Sequence, residues 1–195
     1  MIGDILNTIA KEVSEYIDSQ IEFQSGSKSV VLGKPSDNKG ELIIADNTIC
    51  LTLINIDEEA SMRNPMIKKR VDGDKVYTQT PGIALNLSIV FIANFPNDYI
   101  SELNYITKIM EFFQQKDTFT IANTPSLKKY ARNIEQLVFK LSTSRLEDQH
   151  NIWSLLGIKY MPSVMYSVGK VMIQEEEKLS EIRVAKRVEH NIHQK

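Results

Sequence analysis

TPGIALNLSIVFIAN, residues 80 to 94, alternates cleanly enough to be read as an extended strand. Ile83, Leu85, Leu87, Ile89 and Phe91 fall on one face, and Ala84, Asn86, Ser88, Val90 and Ile92 on the other. A period of two is the signature of a strand, because successive Cβ atoms point to opposite sides of a pleated backbone. The first face is apolar throughout and the second becomes apolar toward its end, so the strand belongs at or near the middle of a sheet. Pro81 and Gly82 mark its start, and Phe95-Pro96-Asn97-Asp98 closes it with turn residues.

Upstream, Thr48 to Asp57 is a second strong strand, with Ile49, Leu51, Leu53 and Asn55 on one face and Cys50, Thr52, Ile54 and Ile56 on the other. Val30-Val31-Leu32 and Leu42 to Ala45 are shorter strand candidates. Residues 2–21 repeat apolar side chains at threes and fours (Ile2, Ile5, Leu6, Ile9, Val13, Tyr16, Ile17), the pattern of a helix lying on a sheet. Downstream, Ser101 to Gln115 predicts a second such helix with Asn97 or Asp98 as its cap. Ile134 to Leu141 and Val164 to Ile173 read as strands, and Gly169 inside the latter suggests a bulge. Between them Ser144 and Glu147 have capping-box spacing, and a short helix bearing Ile152, Trp153, Leu155 and Leu156 runs to Gly157. The expected fold is α+β: a mixed, mostly antiparallel sheet flanked by two or three helices, over residues 1–174.

Two segments depart from that pattern. From Asp57-Glu58-Glu59 through Arg63 to Lys68-Lys69-Arg70 and Asp72-Gly73-Asp74, acid gives way to base with no burial period, which predicts a long surface loop over 57–79. From Glu175 on, five acids and five bases share 21 residues, while Leu179, Ile182, Ala185, Val188 and Ile192 recur at threes and fours. That thin stripe predicts a charged C-terminal helix or flexible tail over 175–195, able to dock on a partner.

With 195 residues, 42% hydrophobic and 25% charged, the chain can bury a real core. Its formal charge of −2 argues against nucleic acid or anionic lipid as a general partner. The lone cysteine, Cys50, has no partner for an internal disulfide and reads as a small buried hydrophobe in a protein folded in a reducing cytosol. Acids spread through residues 1–20 are wrong for a signal-peptide core, and the longest apolar run, Ile89 to Ala93, falls far short of a membrane helix.

Chemistry is hard to find. No serine stands at nucleophile-elbow spacing, and Cys50 has no histidine nearby in sequence. Gly169-Lys170 lacks the rest of a phosphate loop, and Asp72-Gly73-Asp74 lacks the further ligands of a calcium loop. His190 and His193 stand three apart with no further ligand at metal spacing, and the third histidine is His150. Glu58-Glu59 and Glu175-Glu176-Glu177 are adjacent carboxylates in solvated segments, and nothing pushes their pKa values apart. The chain is expected to be no enzyme and to need no cofactor or metal.

The order of segments nevertheless resembles a known family. Ile54-Asn55-Ile56-Asp57-Glu58-Glu59-Ala60 through Arg63-Asn64-Pro65, the central ALNLSIVFIANF, and Leu146 to Gly157 ending in Pro162-Ser163-Val164-Met165-Tyr166 are similar to the terminator, or cap, domain of extracellular contractile injection systems of the antifeeding-prophage type. The likeness runs over roughly residues 1–175. It implies a structural protein, a homo-hexameric ring that caps the tail tube and sheath and stops growth; the charge balance and the short apolar runs already argue for no nucleic acid and no membrane as partners. The lack of a signal-peptide pattern suits assembly in the cytoplasm and release within the particle. Glu58, Glu59, Arg63, Lys68, Lys69 and Arg70, with Leu179, Ile182 and Val188 of the tail, are the candidate partner contacts. The alternatives are a tail-completion or sheath-anchoring adaptor of the same machinery, or a small-ligand-binding or enzymatic domain using a cleft beside the sheet.

Overall fold

A computed structural model describes residues 1–20, 29–59, 68–72, 75–79, 82–131, 133–134, 136–143, 146–173 and 182–183. Six strands form the main sheet in the order β1 (Val30–Leu32), β2 (Thr48–Glu58), β5 (Ile83–Asn94), β8 (Ser163–Ile173), β7 (Gln136–Leu141) and β6 (Thr118–Thr120). Only β1 and β2 pair in parallel; the other neighbours are antiparallel. The TPGIALNLSIVFIAN strand is β5, central as its two-sided burial requires.

Helices α1 (Ile2–Gln20) and α2 (Tyr99–Gln115) pack on one face. The face of β5 that carries Leu85, Leu87, Ile89 and Phe91 meets Ile5, Leu6, Ile9, Val13 and Ile17 of α1 and Ile109, Phe112 and Phe113 of α2 in one continuous core. Asp98 caps α2, its carboxylate accepting from the Ser101 hydroxyl at 2.5 Å and from the Ser101 N–H at 3.0 Å, and the hydroxyl first, then the N–H, holds the carboxyl below its usual range. On the opposite face a smaller core joins Val90, Ile92, Cys50, Met165 and Ile44 to Trp153 of α3 (Leu146–Leu156). Gly157, at φ +69°, ends α3 in the left-handed conformation that its lack of a Cβ permits. Ser144 of the expected capping box lies outside the described residues.

Two bulges flank β5 and change which side chains face where. Leu53 pairs with Ile89 but Asn55 with Ser88, so Ile54 is an extra residue in β2. Beyond it the alternation reverses. Ile56 lies opposite Leu87 on the face of the two long helices, and Asn55 joins Ile54 on the other, the opposite of simple alternation. In β8, Leu85 and Leu87 pair with Val171 and Val168, which confirms a bulge at Gly169-Lys170. The left-handed residue there is Lys170, at φ +67°. Gly169 answers a different need: a Cβ on it would approach the Asn86 Oδ1 to 3.2 Å.

The strand expected over Leu42 to Ala45 is absent. A single bridge, Ser36 to Leu42, replaces it, and the Asn94 amide donates to the carbonyls of Ile44 at 2.9 Å and Ala45 at 3.2 Å. A buried side chain thus satisfies backbone groups that a ladder would otherwise take.

Candidate functional site

The 57–79 segment is not the structureless loop that its charges suggest. β2 runs on to Glu58, and β3 (Lys68–Asp72) and β4 (Lys75–Gln79) pair antiparallel as a hairpin in which Asp72 lies opposite Lys75; the turn expected at Asp72-Gly73-Asp74 falls partly outside the described residues. Val71, Val76, Tyr77 and Thr78 supply β-propensity. The lysines and arginine ahead of them hide that signal in a periodicity reading, because charged strands are legitimate at sheet edges.

A ninth strand, β9 (Ile182–Arg183), pairs with β4, Ile182 opposite Val76 and Lys75 opposite Arg183. At these two residues the tail is extended, not the helix its threes-and-fours spacing predicted. The second sheet, in the order β3-β4-β9, therefore joins the two segments that sequence reading treated separately. The ends of β2, β5 and β8 from which its strands depart lie together, since Glu58 is opposite Leu85 and Ile83 opposite Ile173.

Of the candidate contacts, Lys68, Lys69 and Arg70 stand on β3 opposite Gln79, Thr78 and Tyr77. Ile182 is brought to the same small sheet across β4. Glu58 ends β2 as an exposed residue, and the Glu59 carboxylate accepts from the Asn86 amide at 2.5 Å. Arg63, Leu179 and Val188 lie outside the described residues, as do His190 and His193.

A second surface has no single motif behind it. An open groove of about 1200 Å³ runs beside α3, with Trp153, Leu42, Ile158, Tyr160 and Met161 in its walls and His150 on its rim. The loop that forms one wall is tied to the helix end. The Ser36 hydroxyl donates to the Leu156 carbonyl at 2.8 Å, and a Cβ on Gly40 would lie 3.5 Å from the Gly157 carbonyl oxygen. Tyr160 and Leu155 are mostly exposed. In the sequence Trp153 and Leu42 carry only helix and strand signals, because the groove exists only once the loop bearing Ser36, Gly40 and Leu42 packs against the end of α3.

No group of three or more potential metal ligands comes together among the described residues, and every buried side-chain nitrogen or oxygen among them has a hydrogen-bond partner. Burial pushes the Cys50 thiol up, away from the thiolate a nucleophile needs. No described helix is long and apolar enough to cross a membrane.

Two buried acids are shifted upward and make stability depend on pH. Burial raises the Glu102 carboxyl, although it accepts from the Phe95 N–H at 3.4 Å, and burial pushes the Tyr166 phenol up to about 12. A raised folded-state pKa stabilises the fold fully below the group's ordinary value, and that contribution is lost as pH rises through the folded value. Glu102→Gln should therefore raise the melting temperature at pH 7 and leave it unchanged at pH 3. Melts across pH 10 to 12 should show a further loss that Tyr166→Phe reduces, with the Tyr105 phenol, also pushed up by burial, contributing to the remainder. An equal effect of Glu102→Gln at both acid and neutral pH would refute the carboxyl assignment.

These surfaces define a mixed α+β domain that offers edges, a hairpin and a groove to partners, with no reactive groups converging among the described residues. The chain matches the Pvc16 N-terminal domain family over residues 4–187 and belongs to it. That match continues past residue 175, into the charged tail. Among solved structures it is similar to the sheath/tube terminator, in the extended state, of the PVC extracellular contractile injection system. The TM-score is 0.55 at 13% identity, over 94% of this chain and 63% of that one. It is also similar to the tube-terminating cap of the anti-feeding prophage, with a TM-score of 0.59 at 13% identity, over 97% of this chain and 60% of that one. The chain thus spans about three fifths of the length of each structure. No curated protein matches it.

Proposed function

We propose that this domain is a structural assembly element that terminates the tail of a contractile injection particle, seated as a ring on the last layer of tube and sheath. The observation that carries this is the shared fold with two tail terminators, over nearly the whole of this chain. A terminator works by shape. It needs a rigid body, and a sheet with a core on each of its two faces supplies one. It also needs surfaces that match neighbours around a closed ring and the polymer end below. Bond-making chemistry has no part in that task, so the domain is non-enzymatic in this reading.

The β3–β4 hairpin, with Lys68, Lys69 and Arg70 on its outer strand and the tail strand on the other side, is the natural arm for contact with the tube or a neighbouring copy. Its charges would set register and partner choice more than affinity. The assembled protein would reside in the released particle.

Electron microscopy of particles from cells lacking this protein tests the proposal. Tails of uncontrolled length, or sheath-tube particles that fall apart, are the expected result, and particles of normal length and stability would remove it. The groove beside α3 has the size of a ligand site, and Lys159 and His150 are the basic residues among those that line it.

A further inference from the structure

The two long edges of the main sheet carry matching residues. On the β2 side, β1 covers only Ile49 to Leu51, and past Thr52 no strand pairs with that edge among the described residues. On the other side, β6 covers Gln136 to Val138 of β7 and leaves Lys140 and Leu141 beyond it. Each uncovered stretch exposes a large apolar residue beside a charge, and Glu58 ends the β2 stretch as a second exposed acid. Ile56 is 45% exposed beside Asp57, and Leu141 is 53% exposed beside Lys140.

Register sorts these four onto matching faces. Ile56 lies opposite Leu87, and Leu141 opposite Tyr166, so both belong to the face that carries α1 and α2. Asp57 lies opposite Asn86, and Lys140 opposite Ser167, so both belong to the other face. Lys140, Ser167, Ser88 and Asn55 make one row across four strands, and the Asn55 amide donates to both Asp57 carboxylate oxygens, at 2.9 and 3.0 Å. Three successive antiparallel pairings leave β7 antiparallel to β2, the sense in which two edges can share a ladder.

We infer that the β2 edge of one copy joins the β7 edge of the next, with Ile56 against Leu141 on the helix side and Asp57 against Lys140 on the other. This rests on the ring reading above and supplies its seam: opposite charges and an apolar pair on two different edges of one chain, which is what a head-to-tail contact requires. The bulge at Ile54 is essential to it. Without that extra residue Ile56 and Asp57 would exchange faces, and neither would meet its counterpart.

Cross-linking of full-length chain with a short bismaleimide, in solution and on purified particles, tests the seam. A chain carrying both Ile56→Cys and Leu141→Cys should give a ladder from dimer to closed ring, while either substitution alone gives none. Cys50, 4% exposed, stays out of reach. Asp57→Lys or Lys140→Asp alone should cut the cross-linked yield about tenfold, and the two combined should restore it to within about twofold. Thermal melts establish that each variant is folded. Self-cross-linking by Ile56→Cys alone, or no ladder where native mass measurement still finds rings, overturns the seam and leaves the ring standing. Single copies on the particle would overturn the ring reading, and the seam with it.

Discussion

Replacing Phe113 with alanine is expected to lower the unfolding free energy by about 3–5 kcal/mol, the range for deleting a fully packed aromatic from a core. Phe113 is 4% exposed and sits where α2 meets the sheet. Its ring stacks on Phe139 at 4.7 Å, tilts against Tyr166 at 4.5 Å and Phe91 at 5.7 Å, and meets Phe112 edge-on at 5.0 Å. Those partners come from β7, β8, β5 and α2, so one ring helps hold three central strands under the helix layer. Removing it leaves a cavity walled by other aromatic rings, each already engaged with neighbours and poorly able to collapse inward. Phe113→Leu keeps most of the volume and should cost roughly half as much. Urea unfolding followed by far-ultraviolet circular dichroism measures both. A loss below about 1 kcal/mol for the alanine variant would mean that this layer is far looser than its geometry indicates.

Trp153→Ala should cost about 3 kcal/mol or more, with a different consequence. Trp153 is 7% exposed in the smaller core, where it packs with Cys50, Val90, Ile92 and Met165 and meets Tyr160 edge-on at 5.5 Å. That core is nearly all that fastens α3 to the sheet. The expected result is local: α3 undocks and the groove loses its wall, while the larger core keeps β5 folded. Hydrogen exchange should show faster exchange across Leu146–Leu156 with protection retained in Ile83–Asn94. Equal loss of protection in both would show that the two cores unfold as one unit. Trp153 is the only tryptophan, so unfolding of this variant must be followed by circular dichroism and not by indole fluorescence.

Much of the architecture was legible without coordinates because it depends on local periodicity. The alternation from Ile83 to Ile92 and the threes and fours of Ile5, Leu6, Ile9, Val13 and Ile17 each require a particular backbone and a particular buried face. The larger core contains both sets. The family also left its mark in the order of segments, which the match over residues 4–187 bears out.

The surfaces were less legible, for two reasons. Where burial is slight, charge masks strand character, so Lys68-Lys69-Arg70 read as loop although β3 pairs residue by residue with β4. Where an extra residue enters a strand, every later side chain changes face, and no pattern in Leu53-Ile54-Asn55-Ile56 announces it.

By itself the sequence determined the central strand, the two helices over it and the apolar layer between them, since periodic burial is written into residue order. Only the tertiary structure decided that the tail pairs with the hairpin, that the 36–46 loop walls a groove against α3, and that Ile56 and Asp57 face as they do. Those outcomes depend on contacts between residues far apart in the chain, and such contacts follow from register and bulges, which local periodicity does not encode.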